Sequence, residues 1–258
     1  MVTTKSPREI DYMKEAGRIV GLAHEAVAKA IKPGITGKQI DKIVEDVIVA
    51  NHATASFKGL YDFPAATCIS INSVLVHGIP SNVKLKNGDI VSVDIGACYH
   101  GYHGDSAWTY AVGHIDKATQ ELLDVTKQSL FEGLKMAKAG NRVTDISNAI
   151  GNYVFEHGYS IPQDYAGHGV GTSVHEDPTV PNFGPAGHGI LLKEGMTIAV
   201  EPMVHMGKPH TRVLSDEWAV VTKDGSLCAH YEHTIVITKD GCEILTTTTN
   251  KEEHLNNE

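Results

Sequence analysis

The chain has 258 residues, which is longer than a typical domain of about 100–150 residues but fits one α/β domain or a fused duplicate. Hydrophobic residues make up 41% and charged residues 21% of the chain, so it can bury a sizeable core, and these ordinary proportions exclude a disordered protein. The formal net charge of −9 argues against a protein that binds nucleic acid over its whole surface.

The N-terminal segment from Met1 to Pro7 has no apolar signal core, and no apolar run approaches the roughly 18 residues of a membrane-spanning helix. The four cysteines show no Cys-x-x-Cys spacing, which is typical of reduced thiols. These features predict a cytoplasmic protein that does not contact a membrane. The cysteines are Cys68, Cys98, Cys228 and Cys242.

Two helices and two strands are predicted in the first part of the chain. Ser6, Pro7 and Glu9 form a helix start, and apolar residues recur at helical spacing as far as Ile31 before Pro33-Gly34 stops the helix. A second helix has one apolar face, and two β-branched segments then predict strands. The face is Ile40, Ile43, Val44, Val47 and Ile48, and the strands are Cys68–Asn72 and Asp89–Asp94.

The same order of elements then begins again. A helix is predicted from Leu122 to Ala137, and a second helical face follows it. Strands are predicted for Glu217–Val221 and His230–Thr238, and the polar tail from Thr246 is expected to fray. The second helical face is Ile146, Ile150, Val154 and Phe155.

One segment of sequence is repeated at an offset of 107 residues. Leu85–Asp94 and Leu192–Glu201 share Leu-Lys-x-Gly, four residues, then Val and a carboxylate, and the helix ends repeat at an offset of 106. The repeat predicts one α+β catalytic domain over residues 1–258, built from two helix-helix-strand halves at about 6–113 and 115–245. A pseudo-two-fold axis would relate the halves across a central antiparallel sheet.

Four carboxylates occupy equivalent positions in the two halves. Asp94 pairs with Glu201, and Asp105 pairs with Glu232 on the next strand. Residues at equivalent positions face each other near a pseudo-two-fold axis, so the four are expected to converge. Their mutual repulsion would raise their pKa values, and two divalent cations would remove that repulsion. The alternative is four surface acids at strand ends.

Three histidines lie in glycine-rich contexts. His168 and His175 fall within Ala166–Glu176, and His77 lies in a similar His-Gly context, Val76–Pro80, in the other half. A separation of seven residues is too long for one strand face to bring His168 and His175 onto one ion, so we expect different roles for them. The alternative is that each histidine is a structural residue.

This donor set indicates particular metals and excludes several other chemistries. Carboxylates with one or two imidazoles favour Mn²⁺, Fe²⁺ or Co²⁺ over a thiolate-bound structural Zn²⁺. Two such ions can activate a shared water and polarise a carbonyl, as in aminopeptidases. The sequence has no His-Glu-x-x-His motif, P-loop or Gly-x-Ser-x-Gly motif, and Gly167–Gly171 is too short for a dinucleotide fingerprint.

The ordered set of motifs resembles the type I methionine aminopeptidases, a family of pita-bread-fold metallopeptidases, over about residues 6 to 248. Each motif alone is weak, whereas five ligand contexts in this order are highly specific. The motifs are His77–Pro80, Asp94, Asp105, Gly167–Gly171 with His175-Glu176, Glu201-Pro202 and Tyr231–Thr234.

The resemblance implies two divalent metal ions per chain, Fe²⁺, Mn²⁺ or Co²⁺, with Zn²⁺ as a further candidate. It implies that Asp94 chelates one ion and that His168 and Glu201 hold the other. Asp105 and Glu232 would bridge both ions. Catalysis by a metal-activated water would use Glu201 as a proton shuttle. Outside the ligand set, His175 would stabilise the oxyanion and His77 would act near the scissile amide.

The resemblance also points to an apolar pocket for the methionine side chain, which packs well against aromatic rings and cysteine. Tyr61 and Val174 would lie near this pocket. The segment Phe57–Pro64 departs from the commoner family sequence, and plain core packing is the alternative. The pocket residues are Phe57, Phe63, Cys68 and Trp218, together with His77 and His175 on the substrate side.

The function implied is removal of the initiator methionine from nascent proteins and peptides, with preference for a small second residue. One alternative is a prolidase-like enzyme or X-Pro aminopeptidase of the same fold, although these usually carry an extra N-terminal domain for which this chain has no room. The other is a non-catalytic module that binds peptides or ribosomes. We expect a monomer with a peptide or nascent-chain substrate and no nucleic-acid substrate. A nascent-chain substrate makes the ribosome a candidate partner, although the sequence does not decide this.

Overall fold

The structure is a computed structural model that describes residues 2–247. Its first helix, α1, covers Pro7–Ala30. The side chain of Ser6 accepts a hydrogen bond from the Glu9 amide, and the Glu9 carboxylate accepts one from the Ser6 amide. This capping box and Pro7 in the first turn start the helix where the sequence predicted it. The second helix, α2, covers Gly37–Ala50.

The second helix pair is α3, Lys117–Lys135, and α4, Val143–Glu156. The α3 helix starts five residues before the predicted Leu122, because the side chain of Asp116 caps it by accepting from the Thr119 amide. Phe155 was predicted on the buried face of α4, and this was wrong, because the residue is 49% exposed. The helix ends one residue later, so its last turn reaches beyond the core.

Within residues 2–247, fourteen strands follow or separate the helices, and all of their pairings are antiparallel. Five precede α3: β1 Thr54–Ala55, β2 Thr67–Ile71, β3 Val74–Val76, β4 Ile90–Tyr99 and β5 Tyr102–Ala111. Nine follow α4: β6 Gly167–Gly169, β7 Glu176–Val180, β8 Thr197–Val200, β9 Met203–His205, β10 Thr211–Val213, β11 Val220–Thr222, β12 Cys228–His230, β13 His233–Ile237 and β14 Cys242–Ile244.

Hydrogen bonding groups the strands of the described part of the chain into four sheets. In the first half, β4 pairs with β5 on one edge and with β1 and β2 on the other. In the second half the order is β14-β13-β8-β6-β7. Two smaller sheets, β10-β11-β3 and β12-β9, complete the set. Helices α1 and α2 bury their apolar faces against the first sheet, and α3 and α4 bury theirs against the second, so each half has its own core.

Two predicted strands differ from the structure. The strand predicted for Glu217–Val221 begins only at Val220, because the Asp216 carboxylate binds the amides of Trp218 and Ala219 and holds a turn there. The strand predicted for His230–Thr238 is two strands. The first strand, β12, pairs with β9, and the second, β13, pairs with β8. Between β12 and β13, the Glu232 amide donates to the Ala107 carbonyl on β5.

Equivalent contacts recur in the two halves. The amide of Gly34 donates to the Leu85 carbonyl, and the amide of Gly140 donates to the Leu192 carbonyl. Both glycines have a φ of +94°, a conformation that side-chain-bearing residues rarely adopt. The duplicated Leu-Lys-x-Gly segments therefore dock in the same way onto the turn after the first helix of their half, as the pseudo-two-fold relation requires.

The end of the chain is partly outside the described residues. The predicted polar tail begins at Thr246, which is itself only 3% exposed. Its hydroxyl oxygen lies 2.8 Å from His233 Nδ1. The remainder of the tail, from 248 on, lies outside the described residues. Within residues 2–247, no helix combines the length and apolar character needed to cross a bilayer.

Candidate metal centre and its cleft

The adjacent strands β4 and β5 carry the first two candidate ligands. Asp94 lies opposite Ala107 and Asp105 lies opposite Gly96, so the two acids are two positions apart in register. Asp105 is 3% exposed, and the Oδ1 atoms of both acids are buried. The hairpin thus places two carboxyl groups side by side in the protein interior.

Glu201 and Glu232 come from the second half, each at a break in a strand. Glu201 directly follows β8, where its carbonyl accepts a hydrogen bond from the buried Asn182 side chain. Glu232 lies between β12 and β13. The two residues are 8% and 2% exposed, respectively. Both glutamates are therefore buried acids held by a fixed backbone.

Hydroxyl side chains join the two halves at this point. Thr234 Oγ1 accepts from the Asp105 amide at 3.0 Å and donates to the Asp105 carbonyl at 2.8 Å. Ser106 Oγ donates to the Glu232 carbonyl at 2.6 Å. These bonds cross from β5 to the second half, and they bring Asp105 beside Glu232 although 127 residues separate them in the chain.

The candidate ligand atoms lie close together. His168 Nε2, at the middle of β6, is 3.4 Å from Glu201 Oε1 and 3.8 Å from Asp105 Oδ2. One ligand atom each from Asp105, His168 and Glu232 lie within 4.8 Å of one another. The structure therefore brings together, from both halves, four of the five predicted metal ligands, and the fifth, Asp94, lines the same cleft.

Burial raises the pKa of every carboxyl group in this cluster. The pKa of Asp94 rises to about 6 and that of Glu201 to about 7, because both groups are removed from water. The pKa values of Asp105 and Glu232 lie well above their usual range, first through burial and then through the neighbouring negative charges. Four adjacent carboxylates cannot all ionise here without positive charge beside them.

The unsatisfied polar atoms of the cluster, like its negative charge, are suited to binding divalent cations. Four of its buried atoms have no hydrogen-bond partner among the described residues, and each such atom costs about 1–3 kcal/mol when left unsatisfied. A bound cation would satisfy them, and a set rich in carboxylate oxygen suits Mn²⁺, Fe²⁺ or Co²⁺. These atoms are Asp94 Oδ1, Asp105 Oδ1, Glu232 Oε1 and His230 Nε2.

His230 was not predicted as a site residue from the sequence. Its Nε2 lies 3.3 Å from Glu201 Oε2 and 3.8 Å from Glu232 Oε2, and the residue is 2% exposed. A signal was present in the sequence, because residues two apart on a strand share one face and His230 precedes Glu232 by two. The residue was overlooked because it belongs to neither duplicated acid pair.

His77 and His175 are exposed, unlike the buried acids, and both line the same cleft. The rings of His168 and His175 lie 4.5 Å apart, edge to face. The two histidines meet although seven residues separate them, because the chain turns between β6 and β7 and returns His175 beside His168. His175 nevertheless belongs to neither group of converging ligand atoms found within residues 2–247.

The loop that carries His175 is held by an ion pair from the N-terminal segment. Lys5 Nζ lies 2.8 Å from Glu176 Oε2, and the side chains are 6% and 19% exposed. The other oxygen of Glu176 accepts from the Ser173 amide at 3.2 Å. The neighbouring His175 is therefore presented to the cleft by a loop with several fixed contacts.

The acids form the floor of a cleft of about 370 Å³ whose walls are largely apolar. All four predicted pocket residues line it: Phe57, Phe63, Cys68 and Trp218. Phe63 meets Trp218 edge to face, with ring centroids 5.0 Å apart, and Tyr61 stacks against His175. Val174 packs in the same apolar cluster, and the cleft also contains Val76 and Met203, which the sequence analysis did not select.

A duplicated α+β fold with buried carboxylates at its centre and an adjoining apolar cleft defines a class of protein, the metal-dependent hydrolases. The model of metallopeptidase family M24 matches residues 11–239, and the chain belongs to that family.

Relatives within the family are methionine aminopeptidases. Methionine aminopeptidase 1 of Bacillus subtilis is 52% identical over 246 residues, which cover 95% of this chain and 99% of the relative. The methionine aminopeptidase of Escherichia coli K12 is 41% identical over 247 residues, covering 95% of this chain and 94% of the relative.

Solved structures confirm the predicted pita-bread fold. The crystal structure of methionine aminopeptidase from Thermotoga maritima matches with a TM-score of 0.94 and 46% identity, covering 96% of this chain and all of that one. Prolidase from Pyrococcus furiosus matches with a TM-score of 0.79 and 26% identity, covering 95% of this chain and 65% of that one. The fold is thus shared by both enzyme types that the sequence analysis considered.

Proposed function

We propose that the protein removes the N-terminal methionine from nascent proteins and peptides, with preference for a small second residue. One observation carries the proposal: four carboxyl groups, three of them on buried residues, line an apolar cleft that contains a cysteine and several aromatic rings. The relatives named methionine aminopeptidase, at 41–52% identity, support the same substrate.

Asp94, Asp105, His168, Glu201 and Glu232 would hold two divalent cations, with Asp105 and Glu232 shared between them. When bound, the cations would supply an activated water and the positive charge that polarises the scissile carbonyl. The burial of the acids and the partnerless atoms among them support this assignment. Fe²⁺, Mn²⁺ and Co²⁺ are the ions we propose first, and Zn²⁺ is a further candidate.

Glu201 is proposed to accept the proton of the attacking water and to pass it to the leaving amine. Its carboxylate lies between two imidazoles, with Oε1 3.4 Å from His168 and Oε2 3.3 Å from His230. His175 would donate to the oxyanion, and His77 would contact the scissile amide. Both of these histidines are exposed in the cleft, where a peptide can reach them.

The apolar part of the cleft is proposed to bind the methionine side chain. Phe57, Phe63 and Cys68 are 7%, 4% and 5% exposed, so they already form a packed wall. Sulfur makes favourable contacts with aromatic rings, and an unbranched thioether side chain adapts to such a wall. A cleft of about 370 Å³ is within the size range of small-ligand sites.

The test is peptide hydrolysis after treatment with EDTA. Methionyl-alanyl-serine and a peptide with proline at the second position are offered to the stripped protein, and Fe²⁺, Mn²⁺ and Co²⁺ are added back in turn. We expect no hydrolysis without metal, and release of methionine from the first peptide when one of these ions is restored.

Faster cleavage of the proline peptide would instead favour the prolidase-like alternative. A protein that takes up none of the three ions and cleaves neither peptide would indicate the non-catalytic, peptide-binding alternative. Native mass measurement in the same samples tests two further proposals, that the protein is a monomer and that it binds two ions. Co-sedimentation with ribosomes tests the proposed contact at the site of nascent-chain synthesis in the cytoplasm.

A further inference from the structure

His230 has an unusually constrained backbone. It is the last residue of β12, and Thr109 Oγ1 on β5 both accepts from its amide at 3.0 Å and donates to its carbonyl at 2.9 Å. The next residue, Tyr231, donates from its hydroxyl to the Thr109 carbonyl at 2.9 Å. The position of the imidazole is thus determined by contacts between the two halves of the protein.

The ring is buried among acids with one nitrogen unused. His230 is 2% exposed, and its Nε2 has no hydrogen-bond partner among the described residues. Two carboxylate oxygens lie within 4 Å of this nitrogen, Glu201 Oε2 at 3.3 Å and Glu232 Oε2 at 3.8 Å. One ligand atom from each of these three residues lies within 4.8 Å of the other two.

The surroundings of His230 reproduce those of His168 on the other side of Glu201. His168 Nε2 is 3.4 Å from one oxygen of Glu201 and 3.8 Å from Asp105. His230 Nε2 is 3.3 Å from the other oxygen of Glu201 and 3.8 Å from Glu232. Donors that bind one ion at about 2.0–2.2 Å lie roughly 3.0–3.5 Å apart, so both histidines are spaced from Glu201 as neighbouring ligands would be.

A hydrogen bond that merely orients Glu201 explains these distances less well. A charge-assisted bond from imidazole to carboxylate is typically about 2.7–2.9 Å long. The contact between His230 Nε2 and Glu201 Oε2 is longer, at 3.3 Å. It is not a hydrogen bond, and Nε2 has no hydrogen-bond partner among the described residues. Two atoms at this separation can both bind one cation.

We propose that His230 Nε2 is a sixth protein ligand of the cation centre, which therefore contains two imidazoles. The proposal rests on the cation centre of the proposed function. It adds a nitrogen to an oxygen-rich site, and imidazole favours Co²⁺ over the harder Mn²⁺. His230 therefore shifts the preference of the centre among divalent ions toward cobalt.

The experiment is cobalt X-ray absorption on the full chain loaded with Co²⁺, in which imidazole ligands are counted from their outer-shell scattering. We expect two imidazoles per chain in the native protein, one in His230→Gln and one in His168→Gln. Calorimetric titration of the metal-free proteins should show Co²⁺ binding at least about tenfold weaker in His230→Gln, with a smaller change for Mn²⁺.

His205→Gln is the matched control. His205 is also fully buried with an unused Nε2, and it lies on β9, the strand paired with β12, but in neither group of converging ligand atoms. We expect His205→Gln to keep two imidazoles and native Co²⁺ affinity. Should His230→Gln not fold, the native protein and His168→Gln still decide the question through their imidazole counts.

A single imidazole in the native protein, or none in His168→Gln, would overturn the assignment of His230 while leaving the proposed function intact. Equal Co²⁺ affinity in His230→Gln and the native protein would overturn it as well. A native protein that binds no Co²⁺ or Mn²⁺ would instead overturn the proposed function, and His230 with it.

Discussion

Glu232 is the most enclosed acid of the cluster, at 2% exposure, and it belongs to both groups of converging ligand atoms. Its amide donates to the Ala107 carbonyl and its carbonyl accepts from Ser106 Oγ, so its backbone has little freedom to move. A buried acid in this position lowers the stability of the metal-free protein, because its charge is uncompensated there. With cations bound the charge is compensated, and the acid then contributes to stability.

Glu232→Gln should therefore have opposite effects with and without metal. We expect it to weaken binding of Mn²⁺ or Co²⁺ by about a hundredfold or more, because it removes a charged ligand. The metal-free variant should melt no lower than the metal-free native protein, because one of four repelling acids is gone. Calorimetric titration and thermal melting in EDTA measure the two effects.

Glu121→Gln, at an exposed position on α3, is the control and should change neither quantity. A Glu232→Gln protein that binds the metal with native affinity would show that this residue is not a ligand.

Phe63 gives a second prediction at the scale of one residue. Its edge-to-face contact with Trp218, at 5.0 Å, is worth about 0.5–1.5 kcal/mol beyond burial, and both rings line the cleft. Phe63→Leu should lower kcat/KM for a methionyl peptide by up to about tenfold, chiefly through KM, because the wall that contacts the side chain changes.

Phe155→Leu, at an exposed aromatic position, should leave both constants unchanged. Unchanged kcat/KM in Phe63→Leu would remove this residue from the pocket. Steady-state kinetics on methionyl-alanyl-serine provide the measurement.

At the scale of elements, the β6–β7 hairpin and the N-terminal segment determine where His175 lies. The amide of Lys5 donates to the Gly195 carbonyl, which fixes the N-terminal segment to the residues just before β8. The side chain of Lys5 reaches Glu176. Gly171 shows how closely these parts pack, since a side chain there would meet Lys5 and Glu176 within 2.7 Å. The loop depends on contacts made from 171 residues away in the chain.

Lys5→Met should loosen this loop and leave the half-buried Glu176 without its cation. We expect the free energy of unfolding to fall by about 1–3 kcal/mol and kcat to fall several-fold, with partial rescue by Lys5→Arg. Denaturant unfolding and steady-state kinetics measure the two effects.

Lys14→Met removes an ion pair of similar length whose side chains are 43% and 50% exposed, and it should change neither quantity measurably. If Lys5→Met behaves like Lys14→Met, the N-terminal segment does not hold the His175 loop.

At the scale of the whole molecule, α1 is joined to the central hairpin through a buried histidine. His24 Nε2 donates to the Ser106 carbonyl at 3.0 Å, and Nδ1 lies 2.9 Å from the Tyr110 hydroxyl. Burial lowers the pKa of His24 to about 4, and the bond to Ser106 offsets only part of that effect. The folded protein therefore keeps this ring neutral where an unfolded chain would protonate it.

The consequence is a loss of stability in acid. Between pH 6.5 and about 4 the unfolded chain binds a proton at His24 that the folded protein does not, so stability falls as pH falls through this range. By pH 5 the effect amounts to about 2 kcal/mol. His24→Gln, which cannot ionise, should remove it.

Urea unfolding in EDTA at pH 7.5 and pH 5.0 provides the measurement, and the difference between the two proteins isolates His24 from the acids of the metal centre. His188→Gln, at an exposed position, should follow the native protein. A His24→Gln protein that loses as much stability in acid as the native one would contradict the prediction.

The sequence by itself determined the elements whose signals are local. The capping box of α1 involves residues three apart, and the repeat of Leu85–Asp94 at Leu192–Glu201 pointed to the α+β duplication and to the acid pairs. These inferences succeeded because caps, periodicity and repeats depend only on neighbours in the chain or on comparison within it.

Tertiary structure alone decided where strands change partner and which side chains meet. The break at Glu232 depends on Ala107 in the other half, and His168 and His175 meet because a hairpin returns the chain. The place of His230 beside Glu201 likewise depends on its contacts with Thr109. The contacts of Glu232 with Ala107 and of His230 with Thr109 join residues more than a hundred positions apart. They follow from how two separate cores pack together, which no local pattern encodes.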